Sequence, residues 1–539
     1  MALTAPLDSS SRTTELELDG ASLTVDEVAR VARREATATL ASAARERVAA
    51  ARELKLDLVD REIPIYGVTT GFGDSAHRQI APAKAPRLQQ ALLRGLGAGT
   101  GPVTSAEVTR AAMLLRANCL AKGNSGARPE LVDRLLALLA HDVLPLIPER
   151  GSCGASGDLV PLSYVGSALV GEADVLTAGA VRPAADVLAE LGLEPFALEA
   201  KEGLALVNGT SYLTAFAALA VADAEELAFV SDLGTALASQ ALLGNRGHFN
   251  AFLFEAKPHP GMAESARIIR ALLAGSELAL DAEEIFAAEP LGGRPFQELH
   301  RQVQDRYSIR CAPHVNGALR DTLAWARGWV EVEMNSSDDN PLFDVEGGRV
   351  QSGGNFYAGH MAQAMDALKV AVANLCDLAD RQLELLVDEK FNNGLTPNLI
   401  PRVDPAHPDA GLHHGFKGMQ LSCSALTAEA MKLSNPASVH SRSTEAHNQD
   451  KVSMGAIAAR DARSIVEIAQ HVCAIQLLAA CQALDLRGIE QVSPAAGAAH
   501  ALIRRHVPPL GPDRRMDRDI AAVVDLIRGR ELSAAAPVA

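Results

Sequence analysis

MAQAMDALKVAVANLCDLADRQLELLV (361–387) is the stretch whose pattern decides the fold. Met365, Leu368, Val372, Leu375, Ala379 and Leu383 recur in it at steps of three and four residues, which places them on one face of an α-helix. The segments 211–240 and 452–485 are rich in Ala and Leu and read as helical too. Thr24 with Glu27 precedes VDEVARVARREA, and Thr104 with Glu107 precedes VTRAAMLLRANCLA. Both pairs have the spacing of a capping box, which satisfies orphan N–H groups at a helix start. Period-two alternation is rare, and FDVEGGRV (343–350) is the clearest hairpin. The expectation is a mainly all-α protein with long helices packed as a bundle.

The composition narrows the function classes. The 539 residues carry 66 acidic and 50 basic side chains, a formal net charge of −16. That leaves no electrostatic footprint for a phosphate backbone, so nucleic acid is not an expected partner. No run of about 18 apolar residues is free of charge, so no membrane span is expected. MALTAPLDSSSRTTELELDG (1–20) lacks a basic region followed by an apolar one. It therefore reads as a flexible tail rather than a signal peptide, and the expected compartment is the cytoplasm. Beyond it, the expected division is a loop-rich N-terminal region over 21–210 and a helical C-terminal region over 211–539. The seven cysteines include no CxxC, so buried free thiols are expected rather than a zinc site or a disulfide framework. Aromatics are only 4% of the chain, and the five tyrosines are Tyr66, Tyr164, Tyr212, Tyr307 and Tyr357. Gly and Pro gather in short islands between helical runs, where a rigid scaffold presents chemistry.

Some familiar patterns fail their context tests. GLGAGTG (95–101) follows no strand and lacks the GK[ST] ending of a phosphate loop. Ser156 lies in GASGD, not in a nucleophile elbow. His413 and His414 are adjacent and would diverge on a helix, a poor metal pair.

The densest island of small residues is IPERGSCGASGDLVPLSYVG (147–166). Ala155-Ser156-Gly157 is the least hindered tripeptide that still carries a leaving hydroxyl. Without a side chain, Gly157 can bend its backbone nitrogen onto the Ala155 carbonyl. Closing that five-membered ring and losing water from Ser156 leaves an exocyclic methylene, an electrophile that no ordinary side chain supplies. From these residues alone, a tight turn followed by a helix capped by Asp158 reads equally well.

Seven blocks extend the reading: IYGVTTGFG (65–73), GASGDLVPLS (154–163), EGLALVNGTS (202–211), YSIRCAPHV (307–315), NSSDDNPL (335–342), GGNF (353–356) and NQDKVSMG (448–455). In that order they resemble the aromatic amino acid ammonia-lyase and 2,3-aminomutase family, which includes the histidine, phenylalanine and tyrosine lyases. The resemblance runs from about residue 20 to about residue 510. It implies a long antiparallel helix bundle assembled as a homotetramer, with active sites shared between subunits. It also implies a 4-methylidene-imidazol-5-one (MIO) group formed autocatalytically from Ala155, Ser156 and Gly157, with no metal and no added cofactor. The implied partner is a small aromatic amino acid.

By the same resemblance, Tyr66 is the base for the β-proton. An ordinary tyrosine has a pKa of about 10, so its phenolate needs stabilising, for which N–H groups of the Gly67–Gly73 loop are candidates. Arg310 is the expected clamp for the substrate carboxylate, with Tyr307 beside the imidazolone. Asn208 is expected to hydrogen-bond the imidazolone carbonyl. Asn355 and Phe356 should line the pocket, Gln449 should lie near the imidazolone, and Asn448 near the carboxylate.

The chain also departs from the pattern. Gly95 and Leu96 stand where the family's lyases carry ring-recognising His or Phe. Gly359 replaces an acidic residue of the histidine lyases, and with Leu96 it argues against histidine as substrate. His314 occupies a place that is commonly Gln. Glu445 replaces Asn or Ser, and it reads evenly as an acceptor for a ring hydroxyl or as an ion pair with Arg442. The leading expectation is an ammonia-lyase acting on a phenylalanine- or tyrosine-class substrate. A 2,3-aminomutase is the alternative, and a histidine lyase or a non-catalytic helical scaffold stands behind both.

Overall fold

In a computed structural model describing residues 14–538, the opening stretch forms one helix, Gly359–Val387. Its stripe from Met365 to Leu383 is buried, each of the six residues at most 3% exposed. A fully buried Leu or Met contributes about 1.5–3 kcal/mol relative to an exposed one, so the stripe alone favours the packed helix strongly. The Ala/Leu-rich segments form Ser211–Ala241 and Gly455–Arg487, and a further long helix spans Ala312–Met334. Helices make up 57% of the structure and strands are few and short, so the fold is mainly all-α.

The chain forms two compact units. The first runs to Ala222 and adds Arg327–Asp366 and Pro436–Arg460; the second takes Asp223–Ala326, Ala367–Asn435 and the chain from Asp461 on. The chain returns to the first unit twice after residue 222.

In the first unit, Thr24 caps Val25–Ala32 as expected: its hydroxyl accepts from Glu27 N–H at 3.3 Å, and the Glu27 carboxylate accepts from Thr24 N–H at 2.9 Å. The second capping pair is displaced by one residue. Ser105 caps Ala106–Ala121, its Oγ accepting from Val108 N–H. Thr104 instead turns inward and shares a 2.8 Å hydrogen bond with the buried Tyr212 hydroxyl, while Glu107 pairs with Arg33. A buried phenol needs a polar partner, and that need outweighs the local cap. Thr14–Leu18 falls within the expected tail but pairs in parallel with Ala36–Leu40, Thr14 opposite Ala36. Residues 1–13 of that tail lie outside the described residues. The hairpin appears as Leu342–Asp344 against Arg349–Gln351, with the buried Phe343 opposite Val350.

In the second unit, buried polar groups tie the long helices together. Asp232 accepts from Asn316 Nδ2 at 2.7 Å, from Arg320 Nη2 at 2.6 Å and from Ser265 Oγ. Gln382 Nε2 donates to Thr235 Oγ1 at 2.8 Å, and Gln476 Nε2 donates to Gln382 Oε1 at 3.0 Å. Apolar helix faces can slide past one another, whereas these directional bonds fix one register. Contrary to the sequence expectation, Gly455–Arg487 is long and apolar enough to cross a membrane, but 78% of its most apolar window is buried inside the protein. Burial in the core accounts for its composition.

Asp232→Ala leaves the Arg320 guanidinium without its carboxylate and Asn316 without an acceptor. The expected cost is on the order of 3 kcal/mol, read as a lower thermal midpoint in calorimetry. An unchanged midpoint would show that the network does not hold the helices.

Candidate active site

The Ala-Ser-Gly segment crosses the gap between the short strand Pro148–Arg150 and the helix Leu159–Leu169. Its backbone is left-handed at Gly154 (φ +78°), Ser156 (φ +55°) and Gly157 (φ +74°). For Ser156 this conformation costs about 1–3 kcal/mol, so the surroundings must hold it. Asn208 Nδ2 donates to the Ser156 carbonyl at 2.7 Å, and Gln449 Nε2 donates to Ser156 Oγ at 2.9 Å. Asp158 N–H donates to the Gly209 carbonyl at 2.7 Å, and Met454 N–H donates to the Cys153 carbonyl at 3.0 Å. Gly157 N–H donates to no acceptor among the described residues.

Asp158 stands at the N-cap position of Leu159–Leu169, but its side chain does not cap that helix. The fully buried carboxylate accepts from Leu213 N–H, in the first turn of Ser211–Ala241, and from Ser152 Oγ, both at 2.7 Å. Burial raises its pKa to about 7, against the lowering effect of those two donors. The turn-and-cap alternative is therefore half right, because the turn exists and the cap serves a different helix.

A cavity of roughly 330 Å³ opens over Ser156. Tyr66, Asn208, Glu445, Asn448 and Gln449 supply its polar wall. Phe72, Leu92, Leu96, Leu204 and Phe356 supply its apolar wall. Tyr66 Oη accepts from Gly73 N–H at 3.0 Å, the kind of loop donor expected. Burial nevertheless raises the Tyr66 pKa, and the nearby Glu445 carboxylate raises it further; the Gly73 bond only partly offsets this. Glu445 has a left-handed backbone, as do Ala446 and His447, so the segment is no helix. Its carboxylate sits where a Cβ on Gly73 would be. Arg442 donates instead to the His440 and Ser441 carbonyls, and the ion pair with Glu445 does not form. Partial burial and Asp74 raise the Glu445 pKa.

Other expected residues lie elsewhere. Gly95 does not line the cavity, and a Cβ there would meet nothing within 4 Å. Only its neighbour Leu96 reaches the site. Asn355 is exposed and donates to the Ser337 carbonyl at 3.1 Å rather than lining the cavity. Tyr307 and Arg310 form one helical turn of the second unit, where they line a separate cavity with Gln302 and Asp305. The Arg310 guanidinium stacks over the Tyr307 ring at 4.6 Å, and Arg310 Nε is buried with no hydrogen-bond partner. Tyr307 is 71% exposed, and neither residue is among those that line the Ser156 cavity of the first unit. His314 packs on Phe254, their rings 5.9 Å apart. Sequence reasoning missed Phe72, Leu92 and Arg116. Arg116 is fully buried and donates to the Asn208 carbonyl at 2.8 Å; its only signal is a cation in the otherwise uncharged run AAMLLRANCLA (111–121).

Comparisons with known proteins show which family the chain resembles. Residues 23–505 match the family model described as aromatic amino acid lyase. The chain is 41% identical over 514 residues to a histidine ammonia-lyase of Gloeobacter violaceus, covering 95% of each. It is 41% identical over 530 residues to an MIO-dependent tyrosine 2,3-aminomutase of Streptomyces globisporus, covering 97% of this chain and 96% of that one. The crystal structure of tyrosine aminomutase from Streptomyces globisporus matches at a TM-score of 0.92 and 39% identity, over 97% of this chain and 98% of that one.

The raised pKa of Asp158 has a pH signature. Between the ordinary carboxyl value of 3.8 and about 7, the folded protein keeps a proton that the unfolded chain has released. The contribution of this group to stability therefore falls as pH rises through that window. Asp158→Asn removes the titration, so its thermal midpoint should gain on that of the parent chain from about pH 5 to about pH 7. Parallel midpoint curves would contradict this.

Proposed function

The chain belongs to the aromatic amino acid lyase family, and from that premise we propose an ammonia-lyase that converts a phenylalanine- or tyrosine-class L-amino acid to an aryl acrylate. The enzyme is of the carbon–nitrogen lyase type. One observation carries the reading: the carbonyl of Ser156 is held by Asn208 and its hydroxyl by Gln449, beside Tyr66 in one cavity.

The residues fit the imidazolone that the family implies. Its ring carbonyl derives from Ser156, where Asn208 already donates, and its methylene derives from the carbon bearing the hydroxyl that Gln449 holds. The group supplies an electrophile that captures the substrate amine. Tyr66 takes the β-proton on Oη, with Gly73 N–H stabilising the phenolate. The apolar wall of Leu92, Leu96 and Phe356 suits an uncharged ring. With no Arg442 partner, Glu445 can accept a hydrogen bond from a ring hydroxyl or from the substrate ammonium. The unpartnered Nε of Arg310 suits a substrate carboxylate. We assign Arg310 and Tyr307 to the site of another subunit, in a homotetramer with shared active sites. Seven free cysteines support a cytoplasmic location.

Aminomutase activity is the second reading, favoured by the likeness to tyrosine aminomutase. Histidine as substrate is favoured by the Gloeobacter violaceus relative, but Leu96 offers an imidazole no polar partner.

Incubation with L-Phe, L-Tyr and L-His distinguishes these readings. Acrylate absorbance alone indicates a lyase, and a β-amino acid on chromatography indicates a mutase. Intact mass should be short by two waters, and a correctly folded sample with its full mass sinks the imidazolone. Ser156→Ala should abolish turnover at unchanged helical content. Tyr66→Phe should keep the mass deficit while lowering kcat by about 10²–10⁴. Because the Tyr66 pKa is raised, kcat/KM should climb toward alkaline pH as the phenolate forms; a flat profile would exclude Tyr66 as base.

A further inference from the structure

NSSDDNPL (335–342) has no place yet in the chemistry, although its two aspartates are buried. Asp338 Oδ1 accepts from Arg116 Nη2 at 2.6 Å and from Cys119 Sγ at 2.8 Å. Asp338 Oδ2 accepts from Thr210 N–H at 2.8 Å and competes with Glu333 Oε1 for the Thr210 hydroxyl, which stands 2.8 Å from the first and 2.7 Å from the second. Asp339 faces the other way, and both its oxygens accept from Lys201 Nζ at 2.8 Å. Lys201 and Thr210 bracket one element, the short helix Glu202–Val207 with the turn Asn208–Gly209. Adjacent aspartates thus hold both ends of the segment that delivers Asn208.

The turn is pressed onto the Ala-Ser-Gly segment from behind. A Cβ on Gly209 would stand 2.2 Å from Arg116 Nη1 and 2.5 Å from Asp338 Oδ1. On the other side, a Cβ on Gly157 would stand 2.1 Å from the Gly209 carbonyl oxygen. Arg116 and Asp338, Gly209, and Gly157 therefore form a column of direct contacts, with Asp158 N–H fixed to the Gly209 carbonyl.

The geometry points to a positioning clamp: Asp338 and Asp339, with Arg116 and Lys201, seat the Asn208–Thr210 turn against Ala155–Gly157, and ring closure depends on that seating. This rests on the imidazolone reading above. In the closure, a bond forms between Gly157 N and the Ala155 carbonyl carbon. The Ala155 oxygen leaves as water with the Gly157 and Ser156 amide hydrogens. Ser156 Oγ leaves as a second water with the Ser156 Cα hydrogen, and no oxidant or reductant is needed. The step requires Gly157 N held close to the Ala155 carbon, where displacements of about 1 Å cost about two orders of magnitude in rate. Paired, fully buried charges are expensive to separate, which makes the seating stiff.

Cell-free synthesis followed by intact mass against time tests this, with circular dichroism reporting the fold. Asp338→Asn is expected to keep its helical content and to lose its two waters at least about tenfold more slowly than the parent chain. Thr210→Val, which removes the hydroxyl shared by Asp338 and Glu333 and keeps the backbone N–H on Asp338, should also slow the loss, while Thr210→Ser should restore the parent rate. Tyr66→Phe should lose both waters at the parent rate, which separates closure from turnover. A folded Asp338→Asn protein that matures at the parent rate overturns the clamp. If that variant does not fold, equal rates for Thr210→Val and Thr210→Ser overturn it. A parent chain that keeps both waters overturns the imidazolone reading itself.

Discussion

The carbonyl of Gly209 occupies the space that a side chain on Gly157 would need, and the candidate chemistry depends on that approach. Both residues have positive φ, +148° and +74°, so each is glycine for conformational as well as steric reasons. Two backbones this close need a support that does not yield. The support is ionic: Arg116 is entirely buried and Asp338 almost so, and a buried charge is costly unless it is paired. The same approach lets the Asn208 amide reach the Ser156 carbonyl and Asp158 N–H reach Gly209.

The electrostatics around Ser156 have a consistent direction. Burial raises the pKa of Asp158 to about 7, does the same for Glu333 behind the Asn208–Thr210 turn, where it accepts from Thr210 Oγ1, and raises those of Tyr66 and Glu445. Proton-bearing forms are therefore favoured throughout the site, which resists accumulating negative charge. A substrate bringing an ammonium group would reverse that bias near Glu445 and Tyr66, because a cation favours the ionised form of each.

Local periodicity and motif order made much of this legible. The Met365–Leu383 stripe and the Thr24 capping box depend only on neighbours a few residues away, and both appear as read. Asn208 and Gln449 fall in short blocks whose spacing is itself informative, and both reach Ser156. Elsewhere, partners far along the chain decide. Thr104 is claimed by Tyr212, 108 residues on, and the Arg116 bond to Asp338 spans 222 residues. Asp158 looks like the cap of the next helix because its true acceptor role lies 55 residues downstream. The Glu445–Arg442 pairing assumed helical spacing, and three successive left-handed residues at 445–447 remove it. Tyr307 and Arg310 do pair with each other, as their three-residue spacing suggests, yet sequence order says nothing of which cavity they enter.

The return of the chain to the first unit also has a temporal side. Gln449 is synthesised 293 residues after the Ser156 hydroxyl it holds. At about 5–20 residues per second on the ribosome, that separation lasts roughly 15 to 60 s. Through that interval the nascent Ala155-Ser156-Gly157 segment is an ordinary peptide next to an unfinished cavity. The candidate centre is thereby timed as well as placed, since one wall of its enclosure waits for residues made much later.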